Sequence, residues 1–119
     1  MSYATAKELY SKIGGNYEKM IGIFKTDDMV KEFAKMFLDD NSAIELDQAM
    51  KNEDYAAAFE AAHKLKGVTL NIALDDLGAQ ATEVVERLRN QKDIEGAKIE
   101  YPKLQEMYKK VIDAIKELN

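Results

Sequence analysis

The chain contains no cysteine, so disulfides and thiol catalysis are excluded. With a single histidine as well, it cannot assemble a structural zinc tetrahedron of the usual Cys and His ligands. Proline occurs once and glycine six times, too few for the turns of a loop-rich all-β fold. Every apolar run falls far short of the ~20 residues of a membrane span. Met1-Ser2-Tyr3-Ala4 lacks a basic region leading into an apolar stretch, so no secretory signal is expected. The net charge of −5 lacks the basic surplus of a nucleic-acid binder. No Gly-rich phosphate loop, Gly-x-Ser-x-Gly or His-Glu-x-x-His is present. The expectation is a cytoplasmic protein without affinity for membrane or nucleic acid, and without a cofactor or metal of its own.

What the chain does contain is helix-forming sequence. At 119 residues and 46 % apolar content it is the size of one domain, 1–119, with a real core. Thr5-Ala6-Lys7-Glu8 reads as a capping box for a first short helix ended by Gly14-Gly15. Asn16 to Phe24 holds another turn or two. Thr26 caps a helix from about Asp27 to Asp40, whose apolar stripe is Met29, Phe33, Met36 and Phe37. Ser42-Ala43-Ile44-Glu45 reads as a second capping box, opening a helix to about Lys51 that carries Ile44, Leu46, Ala49 and Met50. Asn52-Glu53-Asp54 is a turn and cap for a helix to Ile72. A short turn at Ala73 to Asp75 leads to a helix ending near Arg89, with Leu77, Ala81, Val84, Val85 and Leu88 as its stripe. Asn90 to Gly96 reads as a loop, Ala97 to Tyr101 is ambiguous, and Pro102 suits the first turn of a last helix. That helix repeats Leu104, Met107, Tyr108, Val111, Ile115 and Leu118. Five or six helices and no strand predict an all-α fold, an antiparallel four-helix bundle with one or two additional short N-terminal helices.

The lone histidine, His63, lies inside the strongly helical stretch from Asp54 to Ile72. On a helical wheel, Ala58, Ala61, Leu65, Val68 and Ile72 fall opposite it and form the core stripe. His63 therefore points away from the core. Its own face carries Ala56, Phe59, Gly67 and Leu70, with Glu60 and Lys66 at the edges. Such apolar residues around a polar centre mark a docking surface rather than a solvated face. The competing expectation is that Phe59 and Leu70 pack under another helix. Gly67, one turn after His63, is unfavourable in a helix interior by roughly 0.5–1 kcal/mol, and clearing space beside the imidazole accounts for it. Lys66 is within reach of an anion on the ring, although an ordinary surface lysine fits the spacing equally. Lys64 points about 100° away and is solvated by this reading.

A neutral imidazole is a nucleophile toward activated phosphorus, and the nitrogen–phosphorus bond it forms stays reactive. Hydrolytic chemistry would need a Ser or Cys nucleophile and an orienting carboxylate, which the sequence does not supply in recognisable form.

The segment Ala61-Ala62-His63-Lys64-Leu65-Lys66-Gly67, continuing through Asn71 and Leu77, resembles the signature of histidine phosphotransfer (HPt) domains of two-component phosphorelays. Leu9 to Gly15 also resembles the leader of some such domains. The resemblance implies that His63 is phosphorylated, that Lys66 helps hold the phosphoryl group and that Gly67 leaves room for a receiver domain. It implies response-regulator receivers as partners, each bringing its aspartate and a magnesium ion. Two departures stand out. Ala73 occupies a position where the family commonly has Gly. Val85 falls where many members place a Gln or Glu to hold the second ring nitrogen; Thr82 and Arg89 share that flank and are the candidates to orient the ring or contact phosphate, while Gln80 and Glu86 lie further off. Docking specificity is expected from Ala56, Phe59, Glu60, Lys64 and Leu70. The protein is expected to be a monomeric phosphorelay intermediate; a chain opening on Met1 favours a free-standing carrier. The alternatives are a phosphotransfer domain of a hybrid or chemotaxis-type histidine kinase, and a non-catalytic helical adaptor that binds through the His63 face.

Overall fold

The computed structural model describes residues 2–119. They form seven α-helices: α1 (Ala6–Ile13), α2 (Tyr17–Phe24), α3 (Asp27–Met36), α4 (Ser42–Lys51), α5 (Tyr55–Asn71), α6 (Asp75–Leu88) and α7 (Ile94–Lys116). Short 3-10 turns, Phe37–Asp39 and Arg89–Gln91, follow α3 and α6. No strand forms among the described residues; Tyr3 and Leu118 make one isolated bridge. Helices α4 to α7 run alternately up and down with short connections, an antiparallel four-helix bundle. Two short helices, α1 and α2, and the longer α3 pack at one end.

The helix starts follow local chemistry. The side chains of Thr5, Asn16, Thr26 and Asp54 accept from the backbone N–H three residues on, at 3.1–3.2 Å. Gly14 ends α1 in the left-handed region at φ 70°, as a glycine after a helix should. Asp27 does double duty. It lies in the first turn of α3 and accepts from the N–H groups of Ala6 and Lys7 at the start of α1. One carboxylate thus serves two positive helix ends.

Four sequence expectations are corrected. Ser42 is not a cap: it is the first helical residue, is buried, and gives its N–H to the Asp40 carboxylate at 3.0 Å. On α3 the buried residues are Val30 and Ala34, whereas Met29 and Met36 are exposed, because the helix presents the neighbouring flank to the core. Ile44 on α4 is likewise exposed. Most plainly, Asn90 to Gly96 is not one loop. Asp93 caps α7 by accepting from Gly96 N–H at 2.9 Å, so the helix runs from Ile94 straight through Pro102. A proline inside a helix removes one hydrogen bond. The side-chain amide of Gln80 on α6 donates to the Glu100 carbonyl at 3.0 Å, tying this stretch to its neighbour.

The core matches the apolar periodicity of α5, α6 and α7. Ala58, Ala61, Ala62 and Leu65 of α5 meet Leu77, Ala81, Val84, Val85 and Leu88 of α6, all buried. The α5–α6 turn is clasped from outside by residues 10–16. The buried Tyr10 hydroxyl donates to the Ile72 carbonyl at 2.7 Å, and Asn16 N–H donates to the Ala73 carbonyl at 2.8 Å. Helix α6 has no side-chain cap; its Asp76 N–H finds the Gly14 carbonyl at 3.2 Å instead. Ala73, where the resemblance expects Gly, takes the left-handed conformation anyway, at φ 55°, and its methyl group is fully buried.

Candidate functional site

His63 sits in the middle of α5 and is exposed, while Ala62 and Leu65 beside it are buried. The direction read from the wheel is the direction found. Among the described residues no side chain or backbone group hydrogen-bonds to either ring nitrogen; the ring's contact is with Phe59, centroids 6.0 Å apart and planes inclined by 32°.

Gly67 is exposed, and a Cβ built on it would meet nothing within 4 Å. No neighbouring helix requires this glycine. Gly78 on α6 is the opposite case. A Cβ there would lie 2.5 Å from Leu70 Cδ2 and 3.2 Å from Thr69 Oγ1. Gly78 lets α5 and α6 approach, and Gly67 leaves open space beside the imidazole.

The flanking residues divide into three groups. Ala56 and Glu60 are exposed on the His63 face, as a docking role requires. Leu70 is also exposed, with its side chain lying over Gly78. Lys64 is not merely solvated: its ammonium pairs with Glu45 of α4 at 3.1 Å, an exposed bridge of small energetic weight. Lys66 is half-buried and its charge acts on Glu86 of α6.

The residues of α6 depart furthest from expectation. Val85 is fully buried and belongs to the core. Thr82 donates its hydroxyl to the Gly78 carbonyl at 2.8 Å. Arg89 does reach the site, through Phe59: its guanidinium lies 5.2 Å from that ring's centroid, within cation–π range. Arg89 is held in turn by Glu86, its Nε and Nη2 each donating to one carboxylate oxygen at 3.1 Å. That hydrogen bonding, against partial burial and helped by the charges of Arg89, Lys92 and Lys66, holds the Glu86 carboxyl below the usual range. Glu86, expected to lie further off, is therefore part of the surroundings of the site. Its signal in the sequence is the i, i+3 spacing to Arg89.

Phe59, Glu60, Ala56 and Arg89 together line a shallow cleft of about 300 Å³ beginning one turn before His63. A larger cleft of about 570 Å³ between α4 and α7, lined by Leu46, Tyr101, Leu104 and Tyr108, contains none of the His63-face residues. Among the described residues no three His, Cys, Asp or Glu side chains are grouped to hold a metal ion, and no helix is long and apolar enough to cross a membrane.

This arrangement offers one accessible imidazole in the middle of a helix, a cation one turn away and clear space beside it. A family model described as Hpt domain matches residues 32–115, which takes in the second half of α3 and nearly all of the four-helix bundle. Comparisons with curated proteins and with solved structures give no match.

Proposed function

Because the chain belongs to the Hpt domain family, we propose that it is a phosphorelay intermediate that carries a phosphoryl group on His63 between receiver-domain aspartates. The observation that carries this reading is the exposed, unbonded His63 imidazole beside the empty space at Gly67. The lone pair of the unprotonated ring nitrogen forms the N–P bond as the P–O bond to the receiver aspartate breaks. That carboxylate leaves with the electron pair, and the proton on the other ring nitrogen passes to solvent. The reverse sequence discharges the carrier.

The roles then follow from position. Lys66, three residues on, offers an ammonium to the phosphoryl oxygens. Gly67 admits the receiver's active site. Ala56, Phe59, Glu60 and Leu70 make the surrounding contact, with Lys64 at its edge beside Glu45. The transfer is helped by a magnesium ion that the receiver brings, and takes place in the cytoplasm. The carrier itself supplies no kinase activity.

The test is a two-receiver relay. A receiver charged by a small phosphodonor is mixed with this protein, and the label is followed onto it and then onto a second receiver. Label should pass through the wild type and not through His63→Gln. Receiver binding that persists in both, without label in either, would instead favour the adaptor reading.

A further inference from the structure

We infer that Phe59, clamped by Arg89 and Glu86, is the positioning residue for the His63 imidazole. The inference rests on the phosphoryl-carrier reading. It deepens that reading by naming what orients the nucleophile in a chain whose α6 supplies no side chain to the ring nitrogens.

The imidazole turns about its Cβ–Cγ bond, a broad torsion with little preference of its own. Efficient attack needs the nitrogen lone pair aligned with phosphorus. The polar side chains of α6 that flank this surface are otherwise engaged. Thr82 is bonded to the Gly78 carbonyl, Gln80 to Glu100 of α7, and Glu86 to Arg89. Val85 is sealed in the core. What touches the ring is Phe59, one turn earlier on the same helix, at 6.0 Å between centroids. That separation lies within the range of attractive aromatic pairs.

Phe59 is itself restrained. It is half-buried, and the Arg89 guanidinium rests 5.2 Å from its centroid. Arg89 is in turn bonded through two of its nitrogens to both oxygens of Glu86, which favours this placement of the guanidinium. A carboxylate, a guanidinium, a phenyl ring and an imidazole therefore stand in sequence, joining the end of α6 to the middle of α5. A hydrogen bond would occupy one ring nitrogen and fix the tautomer; a ring contact leaves both nitrogens open and restricts only rotation.

The experiment measures transfer from a charged receiver as receiver concentration is varied. For Phe59→Leu, with helix content checked by circular dichroism, the saturating rate should fall roughly 3- to 10-fold. The half-saturating concentration, to which Phe59 also contributes through the docking contact, should change by less than the rate, and Phe59→Tyr should restore the rate. Arg89→Gln, at the exposed end of the clamp, should slow transfer in the same direction by less. An unchanged saturating rate in Phe59→Leu, or a change confined to the half-saturating concentration, overturns the inference in favour of simple docking. A second readout needs no phosphorylation: NMR relaxation of the His63 ring should show a more mobile imidazole in Phe59→Leu than in the wild type. Equal mobility overturns the positioning role even if the carrier reading holds, and a wild type that takes no label overturns the carrier reading while the ring measurement still decides the contact.

Discussion

The Tyr10 hydroxyl donates a buried hydrogen bond of 2.7 Å to the Ile72 carbonyl, joining residues 62 apart in sequence. Ile72 follows the end of α5, where helix carbonyls run out of partners. Burial pushes the Tyr10 phenol well above its usual range, so the hydroxyl stays a donor at any physiological pH. Tyr10→Phe should leave that carbonyl unpaired and lower stability by about 1–2 kcal/mol. Urea unfolding checks this; an unchanged midpoint would show that the clasp over the α5–α6 turn contributes nothing.

Gly67 and stability should part company with Gly67 and activity. Since a Cβ there meets nothing within 4 Å, Gly67→Ala should raise stability by roughly 0.5–1 kcal/mol through backbone effects alone. Gly67→Gln should keep the helical fold and slow phosphoryl transfer by blocking approach to His63. Thermal unfolding and the relay assay, run on the same samples, test both. Full-speed transfer by Gly67→Gln would refute the access argument.

Gly78 predicts the opposite sign on stability. Its missing Cβ is the space occupied by Leu70 Cδ2, at 2.5 Å. Gly78→Ala should destabilise the protein in the presence of Leu70, and less so, or not at all, in a Leu70→Ala background. A double-mutant cycle by denaturant unfolding measures this coupling. A coupling energy near zero would mean that the exposed Leu70 side chain swings aside at no cost to admit the methyl group.

Asp27 sets an acid limit on the N-terminal helices. Burial opposes its ionisation, but hydrogen bonds from Tyr17 and from the N–H groups of Ala6 and Lys7, with the charge of Lys31, outweigh it and lower its pKa. In the same pair, burial and then Asp27 push the Tyr17 phenol up to about 12. A carboxylate whose folded pKa is depressed contributes stability above its unfolded value, near ~3.9, and loses it as pH falls through the folded value. The stability gap between wild type and Asp27→Asn should therefore be wide at pH 7 and shrink below about pH 4. Urea midpoints across that range give the comparison, and a gap that stays constant would contradict this assignment.

The outward aim of His63 was legible because α5 keeps a strict helical period, with Ala58, Ala61 and Leu65 buried opposite it. The caps at Thr5, Thr26 and Asp54 were legible for the same local reason. Pro102 misled because its preference for a first turn is statistical, while Asp93 supplied a stronger start eight residues earlier than Tyr101. Ser42 misled because Asp40, two residues before it, competes for the same N–H. The line from Glu86 through Arg89 and Phe59 to His63 depends on how α6 is rotated against α5, a tertiary quantity that no single helix encodes. The clasp by residues 10–16 is carried mostly by backbone groups, which leave little mark on residue type.

The central claim is that His63 itself carries the phosphoryl group. The most direct test charges the protein from a receiver, digests it under mildly basic conditions and maps the modified peptide by mass spectrometry. The account predicts one modified site, His63, with a label lost in acid, stable in base and absent from His63→Gln. A label on any Asp, Ser or Thr, or one that survives in His63→Gln, would contradict it.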